Sequence, residues 1–219
     1  MYHGAEPHRA GEADRGAEVT TFRVAPERAQ EKVRLKKRSG EGRGMFARHI
    51  FIIGMPGSGK SSLGRRVAGN LHVRYVDMDQ MIQDILGLSV SDIFAQYGQE
   101  AFRRAETNLL VYLSGEKPCL ISTGGGCILR EENRRIMKAN GLVLLVDRPL
   151  EDIKGDIKLD RRPLLAEKGL GEVDRLYAER IDIYRREADL RLDNSLGYYA
   201  GVTNMEKIIR MQFNLWEHR

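Results

Sequence analysis

One stretch of this chain constrains its fold more than any other: Gly54-Met55-Pro56-Gly57-Ser58-Gly59-Lys60-Ser61, followed by Ser62, which fits the spacing G-x-x-x-x-G-K-[ST]. It lies directly after an apolar run at 50–53 and directly before a stretch of helical periodicity. Glycines are needed in such a loop because backbone N–H groups must curl around a phosphate with no Cβ in the way, and the loop must feed a helix N-terminus with its partial positive charge. The Lys60 ammonium is then expected to neutralise the β- and γ-phosphates of a nucleoside triphosphate, and the Ser61 hydroxyl to ligate Mg²⁺. Such a loop serves ATPases, GTPases and small-molecule kinases alike, so the acceptor has to be read elsewhere.

From residue 49 onward, short apolar runs alternate with helical periodicity. Strands are predicted at 49–53, 74–76, 119–122, 142–146 and 190–192, and helices at 60–71, 79–86, 90–96, 99–114, 131–139, 150–154, 172–187 and 204–216. Continuous apolar strands separated by helices imply a parallel sheet covered on both faces, a three-layer α/β/α domain over 46–219. In the last helix Ile208, Ile209, Met211 and Phe213 are expected to cover the sheet. Residues 1–45 differ: six glycines, 10 basic and 7 acidic groups and few large apolar side chains predict a flexible basic arm, in which 27–38 has only Val33 and Leu35 to bury. Met45 stands just before the first strand, so translation beginning there is one reading of the arm.

With 219 residues, 42% of them hydrophobic and 31% charged, the chain is expected to hold one packed domain, and a disordered or fibrous class is excluded. No run reaches about 18 consecutive apolar residues and no apolar signal core lies in the first 30, so a cytoplasmic protein with no membrane partner is expected. The net charge of +5 sits largely in the arm, and the body has no basic stripe interleaved with aromatics, which argues against nucleic acid. Cys119 and Cys127 lack metal-ligand spacing and are expected as reduced thiols.

Asp77 and Asp79, two apart at the end of the second strand, are predicted to project to the same side and to face the 54–61 loop at the carboxyl edge of the sheet. One could bind Mg²⁺ through water and the other accept a hydroxyl proton or bond a polyol; the plainer alternative is that Asp79 caps the next helix. Arg103 and Glu106 share a helix face, either as a guanidinium fork held ready for a carboxylate or as an ordinary surface pair. Gly124-Gly125-Gly126 either lets a ligand approach the backbone closely or is a plain connection. Arg161-Arg162-Pro163, flanked by Gly155, Gly169 and Gly171, has the composition of a hinged lid over about 154–171, bringing Arg162 to the moving phosphoryl group. Arg180 lies on a helix whose buried face is expected to hold Leu176, Tyr177, Ile181 and Tyr184, and periodicity leaves open whether it points to the crevice or to solvent.

In chain order these pieces resemble the shikimate kinase family, which shows G-x-x-G-x-G-K-[ST], D-x-D, F-R-x-x-E, G-G-G, R-P-L-L and R-x-P-x-Y. Here they read 54–61, Asp77-Met78-Asp79, Phe102-Arg103-Arg104-Ala105-Glu106, Gly124-Gly125-Gly126, Arg162-Pro163-Leu164-Leu165 and Arg180-Ile181-Asp182-Ile183-Tyr184, with lesser matches at Ile93-Phe94, Gly98-Gln99-Glu100 and Asn133-Arg134. The resemblance spans 49–193. It implies a nucleoside-monophosphate-kinase-like P-loop fold with a five-stranded parallel sheet and a lid. It further implies a monomer that, with Mg²⁺ as cofactor, transfers the γ-phosphoryl group of ATP to the 3-hydroxyl of shikimate, a step in chorismate and aromatic amino acid biosynthesis. On that resemblance 54–62 and Arg162 bind ATP, while Ser61 serves the metal directly and Asp77 from its outer shell. Asp79, Arg103, Gly124, Gly125, Gly126 and Arg180 hold shikimate, the two arginines on its carboxylate and Asp79 on its hydroxyls. Lys60, Asp79 and Arg162 are the catalytic set, and Glu106 orients Arg103. Asp182 departs from the family's Pro, and Lys154 and Lys158 stand where Arg is frequent. A kinase for another polyol acid or a nucleotide, or a nucleotide-binding regulator without turnover, are the competing readings.

Overall fold

The computed structural model describes residues 47–156 and 169–217, with side chains as far as 212. The arm and most of the expected lid, including Lys158, Arg161 and Arg162, lie outside the described residues, as does the Phe213 side chain.

Strand β1 (His49–Ile53) runs into the 54–61 loop and helix α1 (Lys60–Leu71). There follow β2 (Tyr75–Asp77), α2 (Met78–Leu86), α3 (Val90–Ser114), β3 (Leu120–Ser122), a 3₁₀ turn at Cys127–Leu129, α4 (Glu131–Asn140), β4 (Gly141–Asp147), α5 (Leu150–Asp156), α6 (Leu170–Glu187), β5 (Leu190–Asp193) and α7 (Tyr198–Glu217). The five strands form one sheet in the order β2-β3-β1-β4-β5, every pairing parallel, with β1 central.

The sequence of β1 explains why the sheet must be covered on both sides. Alternate residues of a strand face opposite ways, and here both sets are apolar and buried. Ile50 and Ile52 join Leu63 and Val67 of α1 and Val202, Met205 and Ile209 of α7 in one core. Phe51 and Ile53 join Ile93, Leu109 and Leu110 of α3, Met137 of α4 and Leu176 and Tyr184 of α6 in the other. Parallel strands put all their carboxyl ends on one edge, which is where the 54–61 loop and the triple glycine emerge.

Three expectations need correction. Strand β2 extends to Asp77 and α2 begins at Met78, so Asp79 sits in the first helical turn and the same-side strand argument does not apply to it. The cap of that helix is Asp77, whose Oδ1 accepts from the Gln80 N–H at 3.2 Å, an arrangement worth about 1 kcal/mol. Helix α7 starts at Tyr198, ahead of the predicted 204, because Gly201 and two aromatics mask its periodicity; its inward face is Val202, Met205 and Ile209, and Met211 is exposed. By contrast, the two helices expected either side of Gly98 do occur end to end within α3: Gly98 has φ 78° and ψ 165°, outside the helical region. Among the described residues no helix is long and apolar enough to cross a membrane.

Candidate active site

Gly54, Gly57 and Gly59 adopt φ of 146°, 89° and 100°, conformations that favour glycine, and they wrap the loop so that it ends on the first turn of α1. That turn carries no acidic residue, so its positive pole is left for an anion. Lys60 is buried, and its Nζ donates to the Gly54 and Met55 carbonyls at 2.9 and 2.8 Å, which holds the ammonium across the loop. Ser61 and Ser62 are exposed at the rim.

The Tyr75 hydroxyl lies 3.2 Å from the Ser61 carbonyl oxygen and 3.3 Å from Asp77 Oδ2, tying the two residues expected to serve a metal to one corner. Burial, reinforced by the Asp77 charge, pushes the Tyr75 phenol well above its usual range, so it remains a neutral donor. A hydroxyl and a carboxylate are hard oxygen ligands, and Mg²⁺ keeps several waters while taking few protein ligands. The corner therefore suits Mg²⁺ held chiefly by Ser61, water and phosphate, with Asp77 in the outer shell. Among the described residues no cluster of three His, Cys, Asp or Glu offers a fuller cage.

The triple glycine is the junction of the site. None of the three has a positive φ; what requires glycine is close approach by the protein's own side chains. A Cβ at Gly124 would collide with the Asp79 and Glu106 carboxylates, one at Gly126 with the Arg103 guanidinium, and one at Gly125 would lie 2.8 Å from the Pro56 ring of the phosphate loop. The triple glycine thus touches the 54–61 loop with one residue and the Asp79, Glu106 and Arg103 side chains with its neighbours.

Arg103 is a buried residue, not a surface one: its Nη1 donates to Glu106 Oε2, and the two side chains are 9% and 0% exposed. Burial pushes the Glu106 carboxyl up to about 7, the Arg103 charge opposes this, and Asp79 adds to it. Arg180, 4% exposed, turns inward and donates from Nη1 to the Gly125 carbonyl at 3.3 Å; the Tyr184 hydroxyl donates to the same oxygen. Both guanidinium groups and the Asp79 carboxylate therefore converge around residues 124–126, facing the cradle. Asp182 is exposed on the far side of α6, which runs unbroken from Leu170 to Glu187. Lys154 Nζ pairs with Asp174 at 3.1 Å, joining α5 to α6.

Two supports stand behind the site: Asn133, one of the lesser sequence matches, and Arg148, which sequence reasoning passed over. Asn133, fully buried, donates from Nδ2 to the Cys127 carbonyl at 2.9 Å, and its Oδ1 lies 2.8 Å from the Thr107 hydroxyl, which fastens the turn after the triple glycine to α3. Arg148, after β4, donates to the Gly57 carbonyl at 3.2 Å and pairs with Asp156.

The shikimate kinase family model matches residues 56–209. A shikimate kinase of Clostridium beijerinckii is 38% identical over 150 residues, 68% of this chain and 88% of its own length, and one of Persephonella marina is 41% identical over 149 residues, 66% and 88%. The solved shikimate kinase from Acinetobacter baumannii in complex with shikimate superposes with a TM-score of 0.70 at 29% identity, covering 76% of this chain and 93% of its own. By the extent of the family match and the identity to these relatives, the chain belongs to the shikimate kinase family.

Proposed function

We propose that this chain phosphorylates shikimate at its 3-hydroxyl with ATP, giving shikimate 3-phosphate and ADP, and so serves aromatic amino acid biosynthesis as a cytoplasmic monomer. The observation that carries this reading is the convergence of Arg103, Arg180 and Asp79 on the triple glycine, whose Gly125 abuts Pro56 of the phosphate loop. Two buried guanidinium groups suit a carboxylate, because a charged acceptor repays their desolvation with paired hydrogen bonds.

Lys60 and backbone N–H groups of the 54–62 loop, Pro56 apart, hold the β- and γ-phosphates. Mg²⁺ at Ser61, with Asp77 behind it, supplies charge neutralisation on those phosphates when bound. Arg103 and Arg180 take the acceptor's carboxylate, the backbone of Gly124, Gly125 and Gly126 lets it lie close, and Glu106 fixes the Arg103 fork. Asp79 then bonds the acceptor hydroxyls and receives the proton of the attacking one. Arg162, outside the described residues, takes the phosphate-facing role on its place in the sequence alone.

ADP release from Mg·ATP, measured with shikimate, quinate and gluconate in turn, tests the reading. Turnover with shikimate far above the other two is expected; equal rates with all three, or none with shikimate, would overturn it.

A further inference from the structure

Asn194 follows β5 directly, and its backbone N–H donates to the Asp147 carbonyl at 2.8 Å, carrying the β4–β5 ladder one residue past the strand. This places its side chain at the carboxyl edge, where it is 6% exposed and reaches the phosphate loop: Nδ2 donates to the Ser58 carbonyl at 2.9 Å. Two glycines make room for the amide. A Cβ at Gly59 would lie 3.0 Å from Nδ2, and one at Gly201 of α7 would collide with Oδ1, while Leu63 packs beside both positions. The amide is thus confined between the loop and α7, donor toward Ser58.

A trans peptide is planar, and its C=O and N–H point in opposite directions. Anchoring the Ser58 carbonyl toward Asn194 therefore aims the Gly59 N–H the other way, into the concavity. Without such an anchor the peptide, followed by a glycine at φ 100° and ψ 3°, has rotational freedom, and the flipped form would present a carbonyl to an anion. Nδ2 is uncharged, so it sets the direction of the donor without competing for the phosphate.

We propose that Asn194 is a positioning residue for nucleotide binding, holding the peptide between Ser58 and Gly59 in the orientation that turns its N–H to the phosphates. The inference rests on the reading of 54–61 as the phosphate cradle. Calorimetric titration of the full chain with Mg·ADP and, separately, with shikimate tests it on Asn194→Leu, which keeps the shape and removes the donor, and on Asn194→Thr, which keeps a shorter donor. Asn194→Leu is expected to weaken Mg·ADP about tenfold and Asn194→Thr by less, with shikimate affinity within about twofold of wild type. Wild-type affinity for Mg·ADP in both variants, or equal losses for both ligands, would overturn the role of Asn194. A wild-type chain that binds no Mg·ADP would instead refute the cradle itself. Should the leucine variant not fold, the threonine variant decides alone, a loss confined to Mg·ADP supporting the role and no loss overturning it.

Discussion

At Gly126 an added Cβ would meet the Arg103 guanidinium, the far end of a long side chain, whereas at Gly54 it would come within 2.6 Å of the Val146 carbonyl, part of the sheet. The first obstacle can move and the second cannot. Gly126 also has φ −100°, open to any residue, while Gly54 has φ 146°. Gly126→Ala is therefore expected to melt close to wild type yet raise the KM for shikimate about tenfold or more with the KM for ATP little changed, since only the Arg103 fork proposed to take the carboxylate is displaced. Gly54→Ala should lose about 1–3 kcal/mol of stability, read by urea unfolding. Stable Gly54→Ala together with unaffected shikimate KM in Gly126→Ala would contradict the argument. The triple glycine was legible as a place of close approach, but not what approaches: Asp79, Glu106, Arg103 and Pro56 arrive from elsewhere in the chain, and only the folded sheet brings them together. The direction of Arg180 was open for the same reason, because it is settled by the Gly125 carbonyl across the crevice.

Elements whose inward face is continuously apolar were readable to within a residue or so, as β1 and α1 show. Those whose ends depend on single polar contacts were not. Asp77 serves at once as the last residue of β2 and the cap of α2, so its neighbour Asp79 changed from a strand position to a helical one. The start of α7 was hidden because Gly201, a poor helix former, is kept there to admit the Asn194 side chain. Gly98 presents the opposite case, a break that composition does reveal. Its φ of 78° with ψ of 165° lies in a region essentially reserved for glycine, and nothing stands within 4 Å of a Cβ built there. The cost of Gly98→Ala is therefore purely conformational, about 1–3 kcal/mol, and should appear in the urea midpoint with an unchanged m-value. A midpoint equal to wild type would mean that α3 can straighten through residue 98 without penalty.

Across the whole molecule two buried titratable groups sit at opposite edges of the sheet and pull the pH dependence of stability in opposite directions. His49 opens β1 at the amino edge. Burial and then the Arg74 charge lower its pKa from 6.5, while Nδ1, which lies 3.2 Å from the Cys119 N–H, suits a neutral ring; Glu116 faces it as well. Below pH 6.5 the unfolded chain takes up a proton that the folded one refuses, so this group makes stability fall as pH falls. Glu106, at the carboxyl edge against Arg103 and Asp79, has its pKa raised from 4.5 to about 7, so the folded chain keeps a proton that the unfolded one releases, and stability is lost as pH rises through that interval. Each contributes at most about 1.4 kcal/mol per pH unit, and the two act with opposite sign. Removing either exposes the other. His49→Gln is expected to be more stable at pH 5 than at pH 7 relative to wild type, and Glu106→Gln less stable at pH 5 than at pH 7 on the same scale, because carboxylates and histidines common to all three chains cancel in the differences. Urea unfolding at pH 5, 6 and 7 measures both slopes. If the His49→Gln curve runs parallel to wild type, the amino edge holds no neutral histidine, and if the Glu106→Gln curve does so, Glu106 is an ordinary ionised partner of Arg103 throughout.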